Sequence, residues 1–136
     1  MLDGRQTAVG AESGAIADLE LRPGRGRREP PAWLVRPAAP RPGAAPLVAA
    51  HGITRNAEEI ARRLAPLAAA QGRVVIAPVF AEPVFRGYQR AFGRNRPDRA
   101  LLALLAALSD EGVISGGPVD LAGFSGGAQF AHRFAW

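Results

Sequence analysis

The chain has 136 residues, of which 48% are hydrophobic, and its formal net charge is +5. This length and composition suit one globular domain and exclude an intrinsically disordered chain. The sequence contains no cysteine, which excludes disulfides and thiolate metal sites, and its two histidines, His51 and His132, are too few for a typical zinc site. We therefore expect neither a metal nor another cofactor.

All basic residues are arginines, and they are scattered along the chain apart from the run RPGRGRR at 22–28. We interpret this run as a solvated loop, with an anion-binding arm as the alternative. It lacks the interleaved aromatic residues of a nucleic-acid surface, so we expect no nucleic-acid partner. The N-terminus lacks the pattern of a secretory signal, and no apolar window approaches the length of a membrane span. These features predict a cytoplasmic protein without a membrane partner.

The first third of the chain predicts only short strands. We interpret residues 1–30 as an N-terminal arm, with ADLEL as a candidate strand, and residues 31–136 as the N-terminal part of one domain. Further strands are predicted at 33–36 and 46–50. The second of these is a continuous apolar run, which is typical of a strand buried on both faces of a parallel sheet.

A helix is predicted after this strand. Asn56 is placed to cap its start, and Glu59 is placed to complete a capping box. Pro66 is expected to kink or end the regular helix, and Gly72 to end the segment. The apolar side chains that recur at helical spacing, and that we expect to face the core, are Ile60, Leu64 and Leu67.

The second half of the chain continues the alternation of strands and helices. A buried strand is predicted at 74–79, a loop at 81–95, a helix that begins at Pro97 and ends near Gly112, and a strand at 119–123. The helix has an apolar stripe of Leu101, Leu104, Leu105 and Leu108. This alternation predicts an α/β fold with a mostly parallel sheet flanked by helices.

The segment GFSGG at 123–127 fits the pattern G-x-S-x-G, in which a serine sits on a strained turn between a strand and a helix. Gly123 and Gly127 let neighbouring backbones pass close to the turn. The turn would expose the hydroxyl of Ser125 as a nucleophile, and the N–H of Gly126 would point at a developing oxyanion. The alternative is a glycine-rich loop that holds a phosphate, although no phosphate-binding fingerprint supports it.

The segment HGIT at 51–54 follows the earlier buried strand. Gly52 permits a tight turn there, and the N–H of Ile53 is the predicted second oxyanion donor. We expect His51, Gly52 and Thr54 to line the substrate site. A role of His51 as the catalytic base is a further alternative.

Together these segments resemble the N-terminal half of an α/β hydrolase, within which they are most similar to bacterial esterase-like and polyhydroxyalkanoate-depolymerase-like members. The resemblance covers roughly residues 31–136, and its most specific parts are HGITRNA and GFSGGAQFAHR. It implies a serine hydrolase that acts on a small-molecule ester-type substrate, with Ser125 as nucleophile and Gly126 and Ile53 as oxyanion donors. It also implies that His51 shapes the oxyanion loop.

The acid and the base of such a site are expected after the serine, and residues 126–136 contain no acidic residue. His132 lies seven residues after Ser125 on the same predicted helix, about 10 Å along its axis, which is too far for a base. Asp120 lies on the strand below the turn, where a structural role is expected. We therefore predict that the chain is a fragment or a truncated gene product, inactive by itself, whose strand 119–123 has no neighbour on one side.

Two other functions stay open at this level. The chain could be a non-catalytic remnant of the fold that binds a ligand or a partner, or it could bind a nucleic acid through the arginine run 22–28, a hypothesis that we favour less. The aromatic residues Phe85, Tyr88 and Phe92 fit either a pocket or the core. Arg55 could meet an acidic substrate, but we expect it to face the solvent.

Overall fold

The structure is a computed structural model that describes residues 5–10 and 16–136. Its strands and helices are, in chain order, β1 Arg5–Gly10, β2 Ile16–Arg22, β3 Ala32–Pro37, β4 Leu47–Ala50, α1 Ala57–Gln71, β5 Val75–Pro78, α2 Pro97–Asp110, β6 Asp120–Gly123 and α3 Gly126–Phe134. Short 3₁₀ turns lie at Gly26–Arg28 and Tyr88–Arg90. The strands and helices predicted between residues 17 and 136 are all present, whereas β1 in the N-terminal arm was not predicted.

The described strands form one sheet in the order β1-β2-β3-β5-β4-β6. β4 pairs in parallel with β5 on one side and with β6 on the other, and the remaining pairs are antiparallel. The segment 23–31 between β2 and β3 contains no α-helix, and a parallel pair needs such a crossover. The predicted α/β fold is therefore confirmed, with its parallel part at β4, β5 and β6 and an antiparallel extension through β1, β2 and β3.

The core has two layers, one on each face of the sheet. Side chains alternate along each strand, so neighbouring residues enter different layers. Leu34 and Val48 join a cluster with α2 and α3, whereas Val35 and Ala49 join a cluster with α1. The leucines of α2 pack into the first cluster as predicted, with Leu101, Leu104 and Leu108 fully buried and Leu105 at its margin.

The apolar face of α1 differs from the prediction. Ile60 is buried, but Leu64 is only half-buried and Leu67 is 36% exposed. The buried positions are instead mainly alanines, namely Ala57, Ala61, Ala65, Ala68 and Ala69. Because alanine side chains are short, the helix axis lies close to the sheet, and the leucines project past the contact.

The ends of α1 were predicted in part. Asn56 is the N-cap residue, but its amide donates a hydrogen bond to the carboxylate of Glu59 at 3.0 Å and caps no backbone N–H. The helix also continues through Pro66, which was predicted to interrupt it. Buried residues on both sides of Pro66 hold this part of the helix against the sheet, and that packing outweighs one lost backbone bond. Gly72 ends the helix in a left-handed conformation, as predicted.

The arginine run is not wholly solvated. Arg22 pairs with the buried carboxylate of Glu29 at 2.5 Å and with that of Glu111 at 2.6 Å. The pair with Glu111 connects the end of β2 to the end of α2. The prediction of a solvated loop is therefore wrong for Arg22, although Arg27 and Arg28 are exposed.

At the other edge of the sheet, β6 pairs with β4 alone among the described strands. The expectation of an unpaired side of this strand is confirmed for the part of the chain that the structure describes. No helix in that part is long and apolar enough to cross a membrane, and no group of three or more acidic, histidine or cysteine side chains there could hold a metal ion.

Candidate active site

The predicted serine turn and the predicted oxyanion loop lie side by side. β4 and β6 are parallel neighbours, and their last residues, Ala50 and Gly123, are directly paired. The carboxyl ends of both strands therefore open at the same edge of the sheet, one into residues 51–54 and the other into the turn around Ser125. The N–H of Phe124 donates to the carbonyl of Ala50 at 3.2 Å and joins the two segments.

Ser125 has an unusual backbone conformation, with φ 54° and ψ −116°. Positive φ is rare for a residue with a side chain, and such strained conformations concentrate at functional sites. Ser125 joins the end of β6 to the start of α3 through this turn, and it is exposed. This is the geometry that the pattern G-x-S-x-G requires.

The two outer glycines of the pattern are needed because backbones touch there. A Cβ on Gly123 would lie 2.2 Å from the carbonyl oxygen of Gly127, and a Cβ on Gly127 would lie 2.2 Å from that of Ala50. Real Cβ atoms do not approach backbone atoms this closely. The turn can therefore pack against β4 only when both positions are glycine.

The two predicted oxyanion donors are brought to the same place. Gly126 is the first residue of α3, and N–H groups in a first helical turn lack an acceptor within the helix. A Cβ on Gly126 would lie 3.2 Å from Cγ2 of Ile53, so the two residues are direct neighbours. The side chain of Ile53 is 70% exposed, and Thr54 is also exposed, whereas Gly52 is buried.

The peptide that carries the N–H of Ile53 is held by two hydrogen bonds. The carbonyl of Gly52 accepts from Nδ1 of His51 at 2.8 Å and from the N–H of Arg55 at 3.0 Å. In a trans peptide the N–H points away from the carbonyl of the same unit. Fixing the carbonyl of Gly52 thus fixes the direction of the N–H of Ile53.

The imidazole of His51 is fully buried and uses both nitrogens. Nε2 accepts a hydrogen bond from the N–H of Phe80 at 2.9 Å, so Nδ1 carries the proton that is donated to Gly52. No lone pair remains to take a proton from Ser125. The alternative role of His51 as the base is therefore wrong, and its ring has no direct access to a substrate.

Protonation of His51 is expected to destabilise the fold. Burial, and to a smaller extent the positive charge of Arg55, lower the pKa of His51 below its ordinary value of 6.5, against the opposing hydrogen bond to Gly52. Below pH 6.5 the unfolded chain therefore binds a proton that the folded chain does not. The free energy of unfolding should fall by up to about 1.4 kcal/mol per pH unit as the pH drops from 6.5 toward the folded pKa, and no such loss occurs above 6.5.

Urea unfolding at pH 7.5 and 5.5 measures this effect. His51→Gln should remove most of the pH dependence in this range, whereas His132→Gln, which changes the other histidine, should retain it. The lowered pKa values of Asp98 and Glu111, caused by their bonds to Arg96 and Arg22, contribute only at more acidic pH. An unchanged free energy between the two pH values would contradict the prediction.

Sequence reasoning placed Arg55 in solvent, and this prediction is wrong. Its guanidinium lies 5.0 Å from the ring centroid of Tyr88, donates to the carbonyl of Phe80 and pairs with Glu82 at 3.3 Å. Three aromatic residues were predicted to lie either in the core or in a pocket. Of these, Phe85 and Tyr88 are buried in the core. Phe92 is 55% exposed and lies under the guanidinium of Arg96.

The other candidates for acid and base are engaged elsewhere. Nε2 of His132 accepts a hydrogen bond from the indole of Trp136 at 3.2 Å on the exposed end of α3. Asp120 pairs with Arg73 at 2.5 Å at the first residue of β6, whereas the serine turn follows its last residue. The structural role predicted for Asp120 is confirmed.

Solved structures with the same arrangement of strands and helices are known. The poly(3-hydroxybutyrate) depolymerase LpqC of Bordetella parapertussis superimposes with a TM-score of 0.70 at 21% identity, over 87% of this chain and 46% of that protein. The chain has an α/β-hydrolase fold. Poly(aspartic acid) hydrolase-1 of Sphingomonas sp. KT-1 superimposes with a TM-score of 0.65 at 20% identity, over 87% of this chain and 50% of that protein.

The chain therefore spans about half the length of these two α/β hydrolases. No protein-family model and no curated protein matches it. The structural likeness agrees with the resemblance found in the sequence.

Proposed function

We propose that the chain carries the nucleophile and the oxyanion site of a serine hydrolase that cleaves a small-molecule ester-type bond by acyl transfer. The observation that carries this proposal is the backbone of Ser125, which is strained, exposed and placed beside residues 51–54 at the carboxyl end of the parallel strands. A strained conformation is retained where the surrounding structure enforces it and function uses it. The names of both structural neighbours describe hydrolysis of polymers.

In the proposed reaction, Oγ of Ser125 forms a bond to the carbonyl carbon of the substrate, and its proton passes to a general base. The carbonyl oxygen becomes an oxyanion, which accepts hydrogen bonds from the N–H groups of Gly126 and Ile53. The tetrahedral intermediate collapses, the alcohol leaves with a proton, and an acyl-serine remains. Water then attacks the acyl carbon and gives a proton to the general base. The bond from this carbon to Oγ breaks, Oγ takes up that proton, and the carboxylic acid leaves.

Among the described residues, neither the two histidines nor Asp120 supplies the general base or its acidic partner. Both ring nitrogens of His51 are engaged, and His132 and Asp120 lie away from the turn. With nucleophile and oxyanion donors alone, only a small residual rate over water is expected. We therefore propose that residues 1–136 by themselves hydrolyse esters very slowly. We also propose that the exposed Thr54 contacts the substrate, whereas the buried Gly52 acts only through the shape of the loop.

The test uses the protein as its source cells produce it, which we call the native protein. It is labelled covalently with a fluorophosphonate probe, digested with trypsin and analysed by mass spectrometry. The peptide 100–133 contains Ser109, Ser115 and Ser125, so fragmentation is needed to locate the adduct. The proposal expects the adduct on Ser125, and labelling that persists unchanged in Ser115→Ala. A correctly folded native protein that takes up no probe would favour the non-catalytic remnant instead.

A further inference from the structure

Tyr88 is a buried aromatic residue whose hydroxyl is not needed to fill the core. The side chain is 1% exposed, and its ring stacks on Phe80 at 5.5 Å and meets the edge of His51 at 4.9 Å between centroids. A phenylalanine would fill the same space with an apolar ring. The hydroxyl is nevertheless buried, which is costly unless it makes a hydrogen bond.

The hydroxyl of Tyr88 bonds to the loop that follows β4. It donates to the carbonyl of His51 at 2.8 Å. That carbonyl belongs to the peptide immediately before the one that carries the N–H of Ile53. The bond therefore restrains the first peptide of the oxyanion loop.

The same hydroxyl also touches the start of α3. A Cβ on Gly126 would lie 2.9 Å from the hydroxyl oxygen of Tyr88 and 3.2 Å from Cγ2 of Ile53. The oxygen thus lies where the two oxyanion segments meet.

Arg55 holds Tyr88 and the loop together. Its own N–H donates to the carbonyl of Gly52, and its guanidinium covers the ring of Tyr88 at 5.0 Å. The guanidinium is itself fixed by the carbonyl of Phe80 and by Glu82. The position of the Tyr88 ring is therefore over-determined by contacts from three segments.

We propose that Tyr88 is a positioning residue for the oxyanion site, whose hydroxyl sets the relative placement of the N–H groups of Ile53 and Gly126. The proposal rests on the proposed acyl-transfer function. It assigns Tyr88 no contact with the substrate. The hydroxyl of Tyr88 would therefore affect the stability of the transition state. In that state the substrate oxygen becomes charged, and both N–H donors must point at it.

Tyr88→Phe in the native protein tests the proposal, because it removes one oxygen and keeps the ring. With p-nitrophenyl acetate as substrate, kcat should fall by about tenfold while KM changes by less than about twofold. The affinity for phenylboronic acid, which forms a tetrahedral adduct with an active serine, should weaken by about the same factor as kcat. Thermal unfolding of each variant is measured alongside.

Phe85→Leu is the matched control. Phe85 is a second buried aromatic residue, and it packs on the same Phe80 ring at 5.4 Å. Phe85→Leu should lower the unfolding temperature and leave kcat unchanged. If Tyr88→Phe lowers only the unfolding temperature, as Phe85→Leu does, the hydroxyl is structural and the proposal is overturned.

The outcome is separable from that of the proposed function. If Ser125→Ala leaves hydrolysis intact, the acyl-transfer function fails, and the role of Tyr88 fails with it. If Ser125→Ala abolishes hydrolysis and Tyr88→Phe has the kcat of the wild type, only the role of Tyr88 is refuted.

Discussion

Replacing Ser125 by alanine is expected to lower kcat/KM for a p-nitrophenyl ester by about a thousandfold or more in the native protein. Alanine lacks the oxygen that forms the acyl-enzyme, so only binding and the oxyanion donors can still accelerate attack by water. Ser115→Ala provides the matched control, because Ser115 is an exposed serine in a loop of the same chain. Retention of activity in Ser125→Ala would refute the role of this residue as the nucleophile.

The effect on stability should distinguish two substitutions at the same position. Ser125→Gly should lose activity as Ser125→Ala does, yet it should be more stable than Ser125→Ala by about 1 kcal/mol. The reason is the φ of 54° at this residue, which glycine adopts without the steric cost that alanine and serine bear. The difference in the free energy of unfolding between the two variants, measured in urea, tests whether the turn is strained. Equal stabilities would mean that it is not.

Gly127→Ala is expected to have the largest effect on stability, a loss of about 3 kcal/mol or more in the free energy of unfolding. The added Cβ would lie 2.2 Å from the carbonyl oxygen of Ala50 and 2.4 Å from that of His51. Neither contact can be relieved by turning a side chain, because both atoms belong to the backbone. The end of β4 and the start of α3 must separate, which also removes the oxyanion geometry.

The control for this substitution is Gly117→Ala. Gly117 is exposed, and a Cβ there would meet nothing within 4 Å. Its free energy of unfolding should stay within about 0.5 kcal/mol of the wild type. If Gly127→Ala were as stable as Gly117→Ala, the close approach between the serine turn and β4 would be wrong.

Much of the site could be predicted because the motif is local. The positions of Gly123, Ser125 and Gly127 relative to one another follow from a turn that spans only five residues, and the structure places them as the pattern requires. The strand before the turn and the helix after it were likewise visible as apolar periodicities. The loop 51–54 was identified because it follows a buried strand and because the serine motif calls for a second oxyanion donor at that point.

The partners of that loop could not be predicted, since they come from distant parts of the chain. The N–H of Phe80 that fixes the tautomer of His51 lies 29 residues away, and the hydroxyl of Tyr88 lies 37 residues away. Residues 81–95 have no periodicity that indicates which aromatic side chain turns inward. For the same reason Arg55 was expected in solvent, although it covers Tyr88.

The sequence alone predicted the strands and helices from residue 17 onward and the location of the serine turn, because both depend on residues that are neighbours along the chain. Only the tertiary structure decided that α1 packs through alanines, that Arg22 reaches Glu111 and that His51 is held in one tautomer under Tyr88. These features depend on how closely separate elements approach each other. That distance is set by the whole core, and no short stretch of residues specifies it.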